Sequence, residues 1–205
     1  MDKTFNRLLL VLGFGLMVAI GGAAGLYLFK NDSQGTSGSG TALIGGPFEL
    51  TSHEGQRMTQ EDFKGKYMLI YFGYTYCPDV CPTSLALMSQ ALDNLEKTDP
   101  AIAEQITPVF ITVDPERDQV EEVAAYVSHF YPGMVGLTGS PEDVRAAAKS
   151  YRVFYQKAES SEASDYLVDH SSITYLMGPD GTYVQHFAHG TQADAIASKI
   201  RELLG

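Results

Sequence analysis

Positive charge is scarce in this chain of 205 residues, which carries 14 Lys and Arg against 25 Asp and Glu and has a formal net charge of −11. Nucleic acids and anionic lipids attract cations, so we expect the chain to bind both poorly and predict no nucleic-acid partner. The excess of acid is typical of a soluble domain, and it also suits a basic protein partner or a cation. No internal repeat is visible in the sequence.

Cysteine is equally scarce, because Cys77 and Cys81 are the only two. They follow the apolar, β-like run 68–72 and precede an amphipathic segment. In a helix, positions i and i+4 lie about 6 Å apart along the axis, which suits either a redox-active pair or two thiolates on one metal ion. A helix N-terminus would also lower the pKa of Cys77. Inert core cysteines or a plain stabilising disulfide are further readings, but they fit a Tyr-rich, Pro-flanked corner poorly.

A long apolar run lies near the start of the chain, since residues 8–29 contain no charged side chain. As a helix rising about 1.5 Å per residue, this run is long enough to cross a bilayer core of roughly 30 Å. We predict a membrane anchor in residues 1–30, with Lys3 and Arg7 on the cytoplasmic side. A cleaved signal peptide, cut near residues 19–24, is the alternative.

The rest of the chain is predicted to be a flexible linker followed by one domain. Residues 31–41 are rich in Asn, Ser, Gly and Thr, which is typical of a flexible linker. The folded domain is then predicted over 42–205. No Arg- and Ser-rich amphipathic presequence is present, which favours a bacterial inner membrane with the domain in the periplasm.

Strand-like and helix-like segments alternate through this domain, which predicts an α/β sheet of mixed strand direction. A hairpin is expected first, over 47–51 and 57–59, with a short capped helical turn after it. The further strands are predicted over 67–72, 106–113, 134–137, 152–156, 173–177 (171–177 if His170 opens it) and 183–187, and the helices over 83–97, 120–130, 144–151 and 193–204. The two cysteines lie beyond the carboxyl end of the first central strand, where α/β sheets place their sites.

Histidine supplies the remaining candidates for a metal ligand. His53 lies in a turn, His129 at the end of a helix, and His186 and His189 at the end of the last strand, where solvated histidines are ordinary. His170 opens the predicted strand 171–177, after a Ser-, Glu- and Asp-rich loop over 158–169. If that strand neighbours the first central one, His170 approaches the two thiols, but periodicity alone leaves its role open.

Three segments of the chain resemble the signatures of the Sco (SenC) family. The first, residues 71–82, reads YFGYTYCPDVCP, and the second, residues 112–118, reads TVDPERD. The third reads VDHSS over 168–172 and is followed by YLMGPDG over 175–181. They occur in the family's order, and the resemblance covers about residues 44 to 203.

This resemblance implies a thioredoxin-like fold with an N-terminal β-hairpin addition, preceded by one transmembrane helix. It implies that Cys77, Cys81 and His170 bind Cu(I) or Cu(II), with Asp114 near the site but not a ligand. It also implies a copper chaperone that supports assembly of the dinuclear copper centre of cytochrome c oxidase. The expected partners are the copper-bearing oxidase subunit, another periplasmic copper donor and a thioredoxin-like reductant. Soft thiolates favour Cu(I), and an added imidazole also accepts Cu(II).

Enzymatic alternatives remain open beside the copper carrier. A thiol–disulfide reductase acting on the cysteines of the oxidase subunit is the first, but such enzymes usually have CxxC and a facing cis-proline. Here the spacing is CxxxC, no proline occurs between Pro141 and Pro179, and His170 stands near the expected proline position. The segments 46–50 and 62–66 also resemble peroxiredoxins, yet Thr75 lies at the wrong spacing from the first cysteine for peroxide chemistry.

Overall fold

A seven-stranded mixed sheet organises the protein in a computed structural model, which describes residues 44–158 and 166–205. Its strand order is β2-β1-β5-β4-β3-β8-β9, and β6 and β7 form a separate two-stranded sheet. The strands are β1 Glu49–Ser52, β2 Arg57–Thr59, β3 Tyr67–Gly73, β4 Ile106–Thr112, β5 Val135–Thr138, β6 Tyr155–Lys157, β7 Val168–His170, β8 Ile173–Met177 and β9 Tyr183–Ala188. The helices are α1 Val80–Thr98, α2 Pro100–Ala103, α3 Val120–Val127, α4 Pro141–Ser150 and α5 Ala193–Leu204, with a 3₁₀ turn at Gln60–Phe63.

The centre of the sheet forms where the sequence is most continuously apolar. β3 and β4 are parallel and almost wholly buried, as expected for strands covered on both faces. β8 pairs with β3 in the antiparallel sense, so the condition set above, that this strand neighbours the first central one, is met. The predicted hairpin is confirmed as well, because β1 pairs with β2 and also joins the sheet through β5.

Helix α1 begins earlier than its periodicity predicts, at Val80 rather than at residue 83. Pro82 therefore lies in the first turn, where a missing N–H removes no helical hydrogen bond. The Thr83 N–H closes that turn on the Asp79 carbonyl at 3.1 Å. As a result Cys81 belongs to the helix, whereas Cys77 precedes it.

The strand predicted over 173–177 is confirmed as β8, but the prediction that His170 opens it over 171–177 is wrong. His170 is the last residue of β7, and β8 begins only at Ile173. The break arises because Ser171 turns to another partner: its N–H donates to the Phe154 carbonyl at 2.9 Å, and its Oγ accepts from the Phe154 N–H at 3.1 Å. The strand predicted over 152–156 is also shorter, since Arg152 has a left-handed φ of 57° and β6 starts at Tyr155.

The predicted membrane anchor over 1–30 and linker over 31–41 lie outside the described residues, as does residue 42, where the domain is predicted to begin. Within 44–158 and 166–205, no helix is both long and apolar enough to span a bilayer.

Candidate metal centre

The two cysteines lie at the corner between β3 and α1. Cys81 is fully buried and Cys77 is 9% exposed. The Cys81 backbone N–H donates to the Cys77 sulfur at 3.3 Å, and the Cys77 N–H donates to the Tyr74 carbonyl at 3.3 Å. Both thiols are free. The turn thus brings the two sulfurs to one side of the helix start, as the spacing predicts.

A buried carboxylate holds the loop that leads to these cysteines. Asp118 is fully buried and accepts hydrogen bonds from the Thr75 N–H at 2.9 Å, the Thr75 hydroxyl at 2.6 Å and the Thr112 hydroxyl at 2.6 Å. Since Thr112 ends β4, the dithiol loop is tied to the main sheet. The backbone at Gly73 also lies close to the Cys81 sulfur, because a Cβ at this position would be only 2.9 Å from that sulfur.

His170 reaches the dithiol from the smaller sheet. Its Nε2 lies 3.3 Å from the Cys81 sulfur, while its Nδ1 lies 3.3 Å from the Ser171 carbonyl oxygen. Which ring nitrogen donates depends on the tautomer: with the proton on Nδ1 the Ser171 carbonyl accepts it and the Nε2 lone pair faces the sulfur, and with the proton on Nε2 the ring donates toward the dithiol. The rings of Tyr71 and Tyr74 meet the imidazole edge to face, at centroid distances of 6.0 and 5.8 Å.

These three side chains form a compact donor set. The two sulfurs and a ring nitrogen of His170 all lie within 4.8 Å of one another. An open cleft of about 240 Å³, lined by both Cys77 and His170, leads to them. Two soft thiolates and an imidazole fit Cu(I) or Cu(II), whereas hard cations prefer oxygen ligands. The residues present therefore suit a copper ion.

The two sulfurs share their protons unequally. The hydrogen bond with Cys81 lowers the pKa of Cys77 well below its usual range, against the opposing effect of burial, and His170 lowers it further. The same bond, together with burial, raises the pKa of Cys81. The pair therefore favours the thiolate at Cys77, the sulfur nearer the solvent, over the thiolate at Cys81.

Asp114 makes its contacts beside the site. Its carboxylate is buried and accepts from the Arg117 Nε at 2.5 Å and from the Tyr166 hydroxyl at 2.7 Å. Its role near the copper ligands stays a prediction.

The other histidines lie elsewhere. His53 Nδ1 accepts from the Gly136 N–H at 3.1 Å, and His189 Nδ1 lies 3.1 Å from the Ser84 hydroxyl. His186 contacts the Tyr183 hydroxyl at 2.5 Å, and His129 is exposed after α3. Of the histidines, only His170 joins the cysteines in a metal-binding group within the described part of the chain.

Sequence reasoning missed the residues that support the site. Asp118 stands in the quoted segment 112–118, yet nothing in the spacing indicated that its side chain reaches back to Thr75. Tyr71 and Tyr74 stand in the segment 71–82. The apolar pattern of this segment predicts a buried strand but does not predict that both rings contact the His170 imidazole. No local pattern signals these contacts, because Asp118 stands between Arg117 and Gln119 in the sequence, far from Thr75.

Comparisons with known proteins point to one family. The SCO1/SenC family model matches residues 36–205. The human protein SCO1 homolog, mitochondrial, is 46% identical over 161 residues, which are 78% of this chain and 53% of the human protein, so the chain spans about half the length of that relative.

Solved structures agree with this match. Copper-bound ScoI of Arabidopsis thaliana superposes with a TM-score of 0.71 at 42% identity and covers 78% of this chain and 97% of its own. Copper-bound ScoI of Bradyrhizobium japonicum gives 0.70 at 40% identity and covers 78% and 99%. The predicted thioredoxin-like α/β fold is confirmed by these neighbours.

Proposed function

Because the chain belongs to the SCO1/SenC family, we propose that its domain is a copper chaperone that binds Cu(I) or Cu(II) through Cys77, Cys81 and His170. The observation that carries this proposal is the donor set itself, whose sulfur and nitrogen atoms lie within 4.8 Å of one another. The copper-bound relatives support the choice of metal.

Loading and release of copper follow from the chemistry of this set. The Cys77 thiolate is available as the first ligand at neutral pH, and Cys81 gives up its proton when the metal binds. His170 supplies Nε2 as the third ligand, with its proton kept on Nδ1 by the Ser171 carbonyl. A set of three ligands facing an open cleft leaves room for a ligand from a partner, which allows copper to pass by ligand exchange.

The destination and location of the copper follow from the family rather than from the site. We propose that the recipient is the copper-bearing subunit of cytochrome c oxidase, whose dinuclear centre the chaperone helps to assemble. A periplasmic copper donor and a thioredoxin-like reductant complete the cycle, because copper binds only the reduced dithiol. The proposed setting is a bacterial inner membrane, with an anchor in residues 1–30 and the domain 42–205 in the periplasm.

The ligand assignment is tested by replacing histidines one at a time. The reduced full chain, purified in detergent without oxygen, is titrated with Cu(II) as wild type, His170→Ala and His129→Ala. We expect His170→Ala to weaken Cu(II) binding strongly, because the site falls from three ligands to two. His129→Ala is the matched control, since this exposed histidine lies outside the donor set. Full Cu(II) affinity in His170→Ala would refute the assignment.

A thiol–disulfide reductase is the second candidate, and the lowered pKa of Cys77 favours it. In this reaction the Cys77 thiolate attacks a partner's disulfide and releases one partner thiolate. The deprotonated Cys81 then attacks the mixed disulfide, so the partner leaves as a dithiol and the chain is oxidised to a disulfide. This candidate predicts that either Cys→Ser variant abolishes reduction of a protein disulfide while His170→Ala leaves it largely intact.

A further inference from the structure

Arg117 is not a copper ligand in the proposed function, yet its guanidinium has unusual surroundings. Its Nε donates to Asp114, but within the described residues both of its terminal nitrogens are buried and have no hydrogen-bond partner. The guanidinium lies instead against three tyrosine rings. Its central carbon is 3.7 Å from the ring centroid of Tyr166, 4.9 Å from that of Tyr76 and 5.8 Å from that of Tyr74.

Such a placement is costly unless the rings hold it. A buried donor without a partner destabilises the folded state, and an arginine that served only solubility would place these nitrogens in water. A cation over an aromatic face is attracted by the ring and offsets part of this cost, and the flat guanidinium stacks on rings in a way that an ammonium does not. Arg117 is therefore held by its packing between the rings and by its bond to Asp114.

The contacts of Arg117 join the segments that carry the metal ligands. Tyr76 is the residue before Cys77, so one ring belongs to the dithiol loop. Tyr166 lies just before β7, and its hydroxyl donates to the Asp114 carboxylate at 2.7 Å. We call Asp114, Arg117, Tyr166 and Tyr76 the arginine clamp. It joins the dithiol loop to the segment that leads into His170.

The segment that carries His170 depends on such a connection. β6 and β7, which we call the His170 ribbon, pair with each other and not with the main sheet. His170 is therefore outside the ladder that carries the cysteines, and the distance from its Nε2 to the Cys81 sulfur depends on how the ribbon docks as well as on the two-residue link from His170 to β8. We propose that Arg117 is a positioning residue that holds the His170 ribbon against the dithiol. The proposal rests on the proposed function, because the position of His170 matters for copper only if this residue is a ligand.

A metal-free measurement tests the positioning directly. In the reduced full chain, the rings of Tyr71 and Tyr74 displace the NMR resonances of the His170 ring protons. We expect Arg117→Gln to move these resonances toward those of a free histidine. Arg201→Gln is the matched control, because the Arg201 Nε donates to the Asp99 carboxylate at 2.6 Å and no aromatic ring in the described part of the chain stacks on it. Wild-type His170 resonances in Arg117→Gln would overturn the proposal.

Copper supplies the second readout, with Cu(II) as the probe. We expect Arg117→Gln to bind Cu(II) about tenfold more weakly and to lose nitrogen superhyperfine coupling in the EPR spectrum, while thiolate-to-copper absorption persists. Arg117→Lys is expected to behave in the same way, since an ammonium keeps the charge without the stacking. A general loss of stability would not remove the nitrogen signal selectively. Wild-type affinity and coupling in Arg117→Gln, or full rescue by Arg117→Lys, would contradict the proposal.

Two further comparisons distinguish a folding defect and a failure of the ligand assignment from a failure of the positioning role. If Arg117→Gln does not fold, Tyr166→Leu removes the stacked ring from the ribbon side and is expected to give the same two changes, whereas wild-type spectra in it would refute the clamp. If wild type and His170→Ala show identical copper spectra, the proposed ligand set fails, and the metal-free NMR comparison still decides whether Arg117 positions the ribbon.

Discussion

The dithiol corner and the His170 ribbon contribute ligands to one candidate site, yet they are held in place by different means. The corner grows from the central strands β3 and β4, and the fully buried Asp118 fixes its loop through three hydrogen bonds. The ribbon consists of two strands of three residues each, outside the main sheet. The Phe154–Ser171 bonds extend the pairing between its two strands, and the arginine clamp and the Lys157–Glu116 ion pair join it to the rest of the protein.

This difference assigns a separate task to each half of the site. The corner sets the spacing and the proton sharing of the two sulfurs, because it is built into the core. The ribbon sets whether a third ligand is present, since the imidazole moves with it. Changes in the corner should therefore affect stability and sulfur chemistry together, whereas changes in the clamp should affect nitrogen ligation first.

The largest effect is expected from Asp118→Ala, which removes the acceptor of three hydrogen bonds at the corner. The variant leaves buried donors unpaired, so we expect a loss of about 3 kcal/mol in the free energy of unfolding. Urea unfolding measures this loss. A variant as stable as wild type would show that the corner is not anchored by Asp118.

Asp118→Asn is the milder counterpart, because it keeps an acceptor oxygen without a buried charge. Burial raises the pKa of Asp118. The folded protein therefore binds this proton more readily than the unfolded chain, and the cost of the buried charge disappears as the pH falls through the raised pKa. As the pH is lowered through the raised pKa of Asp118, the free energy of unfolding of the wild type should increase relative to that of Asp118→Asn. The opposite trend would contradict the claim that Asp118 is buried as a charged group.

A smaller effect is expected from Gly73→Ala, which pushes on the sulfur itself. The added Cβ would lie 2.9 Å from both the Cys81 sulfur and the Tyr71 ring. We expect a loss of about 2 kcal/mol in stability from overpacking, together with weaker copper binding by the folded protein. Calorimetry and copper titration measure the two quantities.

Gly136→Ala is the matched control for this overpacking. Its Cβ would lie 2.4 Å from a methyl group of Val123, so the variant strains the contact between α3 and β5. It should lose stability and keep wild-type copper affinity. Equal copper affinities in the two glycine variants would show that Gly73 does not shape the site.

The smallest effect concerns the sharing of protons between the sulfurs. Cys81→Ala removes the hydrogen bond that contributes most to the lowered pKa of Cys77. The pKa of Cys77 should then rise toward that of an ordinary thiol, which thiolate absorbance followed against pH would detect. His170→Ala should raise the pKa of Cys77 less, because the hydrogen bond with His170 lowers this pKa less than the hydrogen bond with Cys81 does. An unchanged titration in Cys81→Ala would mean that the sulfurs ionise independently.

Sequence patterns predicted the core of the fold because apolar runs such as 67–72 and 106–113 allow one placement, at the centre of a sheet. The convergence of Cys77, Cys81 and His170 could be expected only through the family resemblance, since periodicity left His170 open. The ribbon was missed because Ser171 leaves the strand to bond Phe154, and no local preference encodes a partner so far along the chain. The start of α1 was missed because Pro82 looks like a boundary, although the first turn of a helix accepts proline.

Copper titration of the reduced full chain, with reactive thiols counted before and after loading, tests the central claim most directly. The proposed ligand set predicts that binding saturates at one copper per chain. It also predicts that both thiols lose reactivity together on loading and that both return when a chelator removes the metal. Copper that binds while Cys77 and Cys81 stay fully reactive would contradict the account.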